Sequence, residues 1–300
     1  MKILLFGKNG QVGWELQRSL APLGTVIAPA HTETDPTFCG DLTNLERLAY
    51  TVNELQPDII VNAAAYTAVD KAESEPEQAH LINARAPEVL AEAAAKCGAW
   101  LVHYSTDYVF NGSGNKPWQE HDATDPLNVY GQTKRDGEQA IIASQCKHLI
   151  FRTSWVYASR GGNFIRTMLK LGQTKEHLRI INDQIGAPTG ADLIADTTAL
   201  ALRQAFKAPH TQGIYHLTAE GETSWYEYAR FIFNQTRQNG ILLKISDENI
   251  NAVDSTAFPT PAMRPKNSRL NTKKLQSTFA LTLPNWRNGV RRALIETLEK

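Results

Sequence analysis

Lys2-Ile3-Leu4-Leu5-Phe6-Gly7-Lys8-Asn9-Gly10-Gln11-Val12-Gly13 is the stretch whose reading decides the fold. A short apolar run enters three glycines spaced three apart, and a helical pattern follows from Gln11 toward Leu20. Glycine permits a tight turn, close approach of backbone to a pyrophosphate, and close helix–sheet contact. The free amides and positive end of the following helix favour phosphate. The stretch therefore predicts the first strand, phosphate-cradling turn and helix N-terminus of a Rossmann unit. An ordinary strand–turn–helix, with glycines serving only the backbone, is the alternative that the rest of the chain must decide.

Outward from this turn, the strand–helix pattern repeats. Thr25 to Pro29 reads as a second short strand. An NAD fingerprint places an acid at its end to bind the ribose 2′-hydroxyl. Here the strand exits into Ala30, His31 and Thr32, with Glu33 in a polar loop, which weakens a strict NAD preference without establishing NADPH. Thr43 is the expected cap of a helix through Leu45, Leu48 and Val52, with Glu46 as its capping-box partner. Ile59–Asn62 is a strand ending in Ala63-Ala64-Ala65, small residues that let a flat ligand approach the backbone or simply pack well. Asn83 to Ala95 reads as a helix, and Ala99–Tyr104 as a buried strand delivering Ser105, Thr106 and Asp107 to its carboxyl end. Ligands of open α/β sheets gather outside such ends. Residues 109–128 form a long, aperiodic loop before a helix at Tyr130, and Leu149–Arg152 is a further strand.

Beyond Tyr157 the alternation loosens. Asn163–Leu171, Asp192–Phe206, Trp225–Gln238 and Trp286–Leu298 read as helices, Leu178–Ile181 and Gly213–Leu217 as strands. Pro259, Pro261 and Pro265 mark irregular structure over 254–269. The expected fold is α/β: a Rossmann-type doubly wound parallel sheet with a smaller, mixed C-terminal substrate lobe. Residues 1–155 mainly bind the dinucleotide. Residues 156–300 mainly form the lobe, with some segments returning to the first domain.

Composition narrows the function. The 300 residues carry 31 basic and 31 acidic side chains, and the balance points to neither a nucleic-acid nor a membrane surface. No 18-residue apolar run exists, so no spanning helix is expected. Cys39, Cys97 and Cys146 match no zinc or disulfide framework. With no signal-like N-terminal segment, this set suits a reducing cytoplasm.

Tyr130 and Lys134 are four apart at the start of a helix and share one face. A free phenol titrates near 10 and is a poor acid–base group. A nearby ammonium is expected to lower that value. The pair can then protonate an alkoxide developing from a ketone, while Lys134 holds ribose hydroxyls and Thr106 adds a hydrogen bond to the reacting oxygen. Tyr-x-x-x-Lys alone is more often a surface pair on a helix. Its combination with the glycine turn and Ser105-Thr106 raises it.

These pieces resemble the extended short-chain dehydrogenase/reductases: Gly7–Gly13, Asn62-Ala63-Ala64-Ala65, Ser105-Thr106-Asp107-Tyr108-Val109-Phe110 and Tyr130-Gly131-Gln132-Thr133-Lys134. Phe151–Tyr157, Asp183–Thr189 and Arg264–Ser268 are similar to the branch that reduces dTDP-linked 4-keto-6-deoxy sugars. The resemblance implies reduction of the C4 ketone of dTDP-6-deoxy-L-lyxo-4-hexulose to dTDP-L-rhamnose by hydride from NADPH or NADH. It implies Thr106, Tyr130 and Lys134 as catalytic residues. The cofactor would be held by Gly7, Asn9, Gly10, Gln11, Val12, Gly13, Asp41, Leu42, Ala63, Ala64, Ala65, Thr67, Tyr130 and Lys134. The sugar nucleotide would meet Thr106, Asp107, Tyr108, Tyr130, Trp155 and Arg264, with Trp155 as a plain core residue the alternative. Arg264 and Lys266 are candidates for the diphosphate, against a solvated turn.

By the same resemblance, the partner is a second copy in a homodimer, with a structural Mg2+ at Glu15, Asp192 and Glu296. Asp192 stands where a glutamate is usual, which puts direct ligation in doubt. Alternative functions are another nucleotide-sugar reductase or epimerase, or a non-catalytic dinucleotide-binding regulatory subunit. Dehydratase relatives follow the Asp with a Glu; Tyr108 stands there instead.

Overall fold

The computed structural model describes residues 1–31 and 38–299, so Glu33 and Thr32 lie outside the described residues. Strands β1 (Lys2–Phe6), β2 (Thr25–Ile27), β3 (Ile59–Asn62), β4 (Trp100–Thr106) and β5 (Lys147–Thr153) lie in one parallel sheet with a sixth strand, Gly213–His216. Its order is Gly213–His216, β5, β4, β3, β1, β2. The chain leaves β1 for β2 on one side, then crosses to β3 on the other. That reversal opens a crevice at the carboxyl ends of β1 and β3, where ligands of such sheets bind.

The helices are α1 (Gln11–Leu20), α2 (Leu45–Leu55), the short α3 (Val69–Ala72) and α4 (Pro76–His80), α5 (Ala86–Cys97) and α6 (Val129–Ala143). The C-terminal half adds α7 (Phe164–Thr174), α8 (Ala191–Ala205), α9 (Trp225–Gln238), α10 (Lys273–Phe279) and α11 (Trp286–Leu298). Side chains alternate across a strand. Ile3 and Leu5 therefore pack with Leu16 and Leu20 of α1 and Ile194 and Leu202 of α8. Leu4 and Phe6 pack on the opposite face with Leu48 and Val52 of α2 and Leu90 of α5. Coverage of both faces is why these strands are near-continuous apolar runs rather than alternating ones. A separate core around Tyr228, Phe233 and Trp286 joins α7, α9 and α11 into the C-terminal lobe.

Two local readings are corrected. The cap of α2 is Asn44, whose side chain accepts from Arg47 N, and not Thr43. Asp41 takes both the amide and the hydroxyl of Thr43, at 2.9 and 2.8 Å, so that hydroxyl is spent as a donor. The helix expected from Asn83 begins as a π-turn, Leu81–Arg85, that runs into α5. There the Asn83 amide donates to Tyr66 O and Thr133 Oγ1 and accepts from Tyr66 N. Gly137 of α6 admits the Asn83 carbonyl, which a Cβ would meet at 2.2 Å. Gly213–His216 and α8 belong with the main sheet: the strand pairs with β5 and α8 packs on α1. Among the described residues no helix is long and apolar enough to cross a membrane.

Candidate active site

The glycine turn closes at the end of β1. Gly7 adopts φ +84°, a region open to glycine, and Gly10 N donates to Gly7 O at 2.9 Å. A Cβ on Gly7 would stand 2.6 Å from Ala64 N, and one on Gly13 would stand 2.0 Å from Gly7 O. The glycines therefore let α1, the turn and the alanines after β3 approach one another. Gly7, Asn9, Gly10, Asp41, Leu42, Ala64 and Ala65 line a single cleft at this crevice. Lys8, Pro29, His31, Gly40, Thr43 and Ile82 complete its wall and were not singled out by the sequence reading. Gln11, Val12 and Gly13 form the first turn of α1 behind it, and Ala63 precedes Ala64 at the rim. Thr67 is exposed past Tyr66.

Substituting Gly13 with alanine is expected to weaken NADPH binding roughly 10- to 100-fold, since overpacking of this kind costs about 1–3 kcal/mol. Fluorescence titration with NADPH measures it, and wild-type affinity would remove the close-approach argument.

The reactive groups converge one strand further along the sheet. Thr106 ends β4, and Asp107–Val109 turns away in a 3₁₀ helix. Gly131 lets α6 dock on that turn, since a Cβ there would lie 2.2 Å from Tyr108 O. The start of α6 is fixed three ways. Asn128 accepts from Gly131 N at 2.8 Å, its amide donates to Met263 O at 2.7 Å, and Glu73 accepts from Val129 N. Tyr130 and Tyr108 meet edge to face at 5.8 Å. Burial pushes Tyr130 up to about 12, with the Thr106 side chain opposing. The expected lowering by Lys134 is thus reversed, because Tyr130 is desolvated and Lys134 Nζ turns to His103 Nε2 at 3.1 Å. A phenol held this way is protonated at neutral pH, which suits a proton donor. Burial also brings Lys134 down to about 8, with Glu138 opposing.

Asp107 is buried beside Thr106, whose hydroxyl donates to its Oδ1 at 3.1 Å. Burial pushes its carboxyl from the ordinary 3.8 up to about 7, with Ser268 and Thr106 opposing. The folded state therefore keeps this proton between those values while the unfolded chain releases it. Stability attributable to Asp107 falls as pH rises through that window, at up to about 1.4 kcal/mol per pH unit. Asp107→Asn is expected to flatten the decline of urea-measured stability between pH 4 and 7; an unchanged slope would contradict the assignment.

Arg264 reaches this cluster from the C-terminal loop. Its Nη1 and Nη2 donate to Asp70 Oδ1 and Oδ2 at 3.0 and 2.7 Å, and its Nη1 also donates to Ala262 O. Arg264 holds the Asp70 carboxyl below its usual range. Lys266 pairs with Asp183 at 2.9 Å. Trp155 stacks on Trp225 at 3.6 Å and covers Gly186, where a Cβ would meet its ring at 2.7 Å. Its φ of +48° is unusual for a bulky side chain and marks a position held by its surroundings. Thr106, Asp107, Tyr108, Tyr130 and Arg264 are thus brought together, and Trp155 follows β5 two residues beyond Thr153, the register partner of Thr106. Trp225, His103 and Asp70 escaped the sequence reading.

Glu15, Asp192 and Glu296 line one pocket, but Arg292 stands among them. It pairs with Asp192 at 3.3 Å and Glu296 at 3.0 Å, while Glu15 pairs with Arg18 at 3.4 Å. Among the described residues no group of three His, Cys, Asp or Glu side chains could hold a metal ion. A guanidinium already compensates these carboxylates, and the set does not fit magnesium.

The profile of the family described as RmlD substrate binding domain matches residues 1–299. The chain belongs to this family. It is 60% identical over 296 residues to dTDP-4-dehydrorhamnose reductase of Escherichia coli (strain K12), covering 99% of this chain and 98% of that one. A solved dTDP-4-dehydrorhamnose reductase of Clostridium acetobutylicum matches all of both chains with a TM-score of 0.88 at 35% identity. One from Bacillus anthracis, solved in complex with NADP, matches 99% of each chain with a TM-score of 0.86 at 34% identity. These likenesses extend over both the main sheet and the C-terminal lobe.

Proposed function

We propose that the protein reduces the C4 ketone of dTDP-6-deoxy-L-lyxo-4-hexulose to dTDP-L-rhamnose, using NADPH or NADH. The observation that carries the reading is the half-buried, protonated Tyr130 phenol next to Thr106 at the carboxyl end of β4, beside the glycine-lined cleft. Membership of the RmlD family and 60% identity to an Escherichia coli dTDP-4-dehydrorhamnose reductase supply the substrate class. A bound nicotinamide supplies the hydride. Thr106 orients the ketone oxygen. Tyr130 gives that oxygen a proton as it gains charge, so that hydride and proton together make the alcohol. Lys134 holds the ribose and answers the charge left on Tyr130. Trp155 and Tyr108 flank the sugar, and Arg264, released from Asp70, meets the diphosphate.

In this reading residues 1–155 hold the cofactor and residues 156–300 the sugar nucleotide, apart from α8 and Gly213–His216, which return to the sheet. The protein works as a cytoplasmic homodimer; sedimentation of a monomer alone would remove the dimer. The reduction is tested by following NADPH and NADH separately with the keto sugar added. Sugar-dependent oxidation of either is the expected result, and none with both would sink the proposal. Competing GDP-linked 4-keto sugars test the nucleotide choice.

A further inference from the structure

A chain of buried polar groups runs behind the reactive cluster to Lys134, and its first two members take no part in the roles assigned above. Asn62, His103 and Lys134 are each 1% exposed. Asn62 Oδ1 accepts from Ala64 N at 3.2 Å. Asn62 Nδ2 faces His103 Nδ1 at 3.2 Å, and His103 Nε2 faces Lys134 Nζ at 3.1 Å. The register of the sheet makes the first link, since Asn62 and His103 are partners on adjacent strands β3 and β4.

Donor counting decides the protons. With Asn62 Oδ1 serving the Ala64 amide, Asn62 Nδ2 is the donor toward His103, and Nδ1 must accept. A neutral imidazole then carries its hydrogen on Nε2. That N–H points at Lys134 Nζ, and only an unprotonated amine has a lone pair to accept it. The opposite arrangement has an ammonium donating to Nε2 and Nδ1–H donating to a rotated Asn62. It turns the Asn62 amide toward the Ala64 N–H, two donors face to face, and leaves that amide without its acceptor. A doubly protonated His103 is disfavoured by burial, which holds it well below histidine's usual range.

We infer that His103, set by Asn62, is a positioning residue that holds Lys134 as a neutral amine in the cofactor-free protein, and that Lys134 takes up a proton when the dinucleotide binds. The inference rests on the dinucleotide reading of the cleft. Ribose hydroxyls offer acceptors that an Nε2–H cannot, so binding favours the ammonium; the proton comes from water. The lysine is then charged when Tyr130 has cofactor and substrate before it, and uncharged while the site is empty.

The other groups around Lys134 do not replace this partner. Glu138 lies one turn along α6, but Arg152 of β5 engages both its oxygens. From the 3₁₀ turn, Asp107 acts on Tyr130, and Tyr108 packs on the Tyr130 ring. Glu73 is committed to the Val129 amide, and Arg85 of the π-turn pairs with Glu88. Burial, with Glu138 opposing, already brings Lys134 to about 8, so the network acts on a group close to its transition at neutral pH.

The test uses the intact protein and needs no keto sugar. Histidine ¹⁵N spectra at pH 8, with His103 assigned by comparison with His103→Gln, should show Nε2 protonated and Nδ1 bare. Calorimetry of NADPH binding at pH 8 in buffers of different ionisation enthalpy should show uptake approaching one proton per chain. At that pH the ribose phosphate is fully ionised and contributes nothing. His103→Gln offers an oxygen acceptor to the ammonium, and should bind NADPH without that uptake. An Nδ1–H tautomer overturns the inference, as does wild-type binding without proton uptake. If the glutamine variant fails to fold, the wild-type calorimetry still decides, and His103→Asn replaces it for assignment. Absence of ketone reduction would remove the substrate reading and leave these readouts untouched; absence of NADPH binding would remove the dinucleotide reading itself.

Discussion

Tyr130→Phe is expected to lower ketone reduction by about 10²- to 10⁴-fold, the usual contribution of a positioned proton donor. The loss should fall on turnover, with NADPH affinity kept. The reason is geometric. Phenylalanine retains the ring that meets Tyr108 at 5.8 Å, and the α6 start stays held by Asn128 and Glu73. Only the phenol hydroxyl is removed. Because burial places that phenol at about 12, the acid is present across the neutral range, and the wild-type rate should not be limited there by loss of the Tyr130 proton. Normal turnover in the variant would remove Tyr130 as the donor. Loss of NADPH binding with loss of turnover would show that the hydroxyl serves cofactor binding and not proton donation alone.

The parts legible in the sequence are those that local physics dictates. Gly7, Gly10 and Gly13 could be read because the turn, the positive φ and the close approach are all demanded within seven residues. The apolar runs of β1, β3 and β4 announced strands buried on both faces. Tyr130 and Lys134 could be placed on one helical face from their spacing. What escaped depends on contacts distant in the chain. His103 looked like an ordinary residue of a buried strand, and its link to Lys134 exists only because α6 packs on β4. Arg264 and Asp70 are 194 residues apart. Trp225 gained its meaning from stacking on Trp155. Thr43 is the exception: it was misread as a cap although the competitor that takes its hydroxyl, Asp41, stands only two residues before it. The Tyr130 shift was misread because spacing gives a neighbour without giving its burial or where its charge points.

Glu138→Ala should destabilise the fold by about 3–5 kcal/mol, the cost of leaving a buried charge without its partner. Arg152 donates to Glu138 Oε1 and Oε2 at 2.9 and 2.6 Å, and both side chains are at most 4% exposed. The same guanidinium donates to Glu120 O and lies 5.0 Å from the Phe110 ring. The pair therefore ties the helix bearing Tyr130 and Lys134 to β5 and to the long loop before it. Removing the carboxylate strands a buried guanidinium beside the Phe110 ring with only Glu120 O left as acceptor. Urea unfolding of the variant measures the loss. The double change Glu138→Leu with Arg152→Met separates charge burial from packing: removing both charges is often neutral for stability. Near-wild-type stability in the double variant, with a large loss in the single one, is the expected pattern. A single variant within about 1 kcal/mol of wild type would mean that the guanidinium finds water or another acceptor, and that the pair does not anchor the active-site helix.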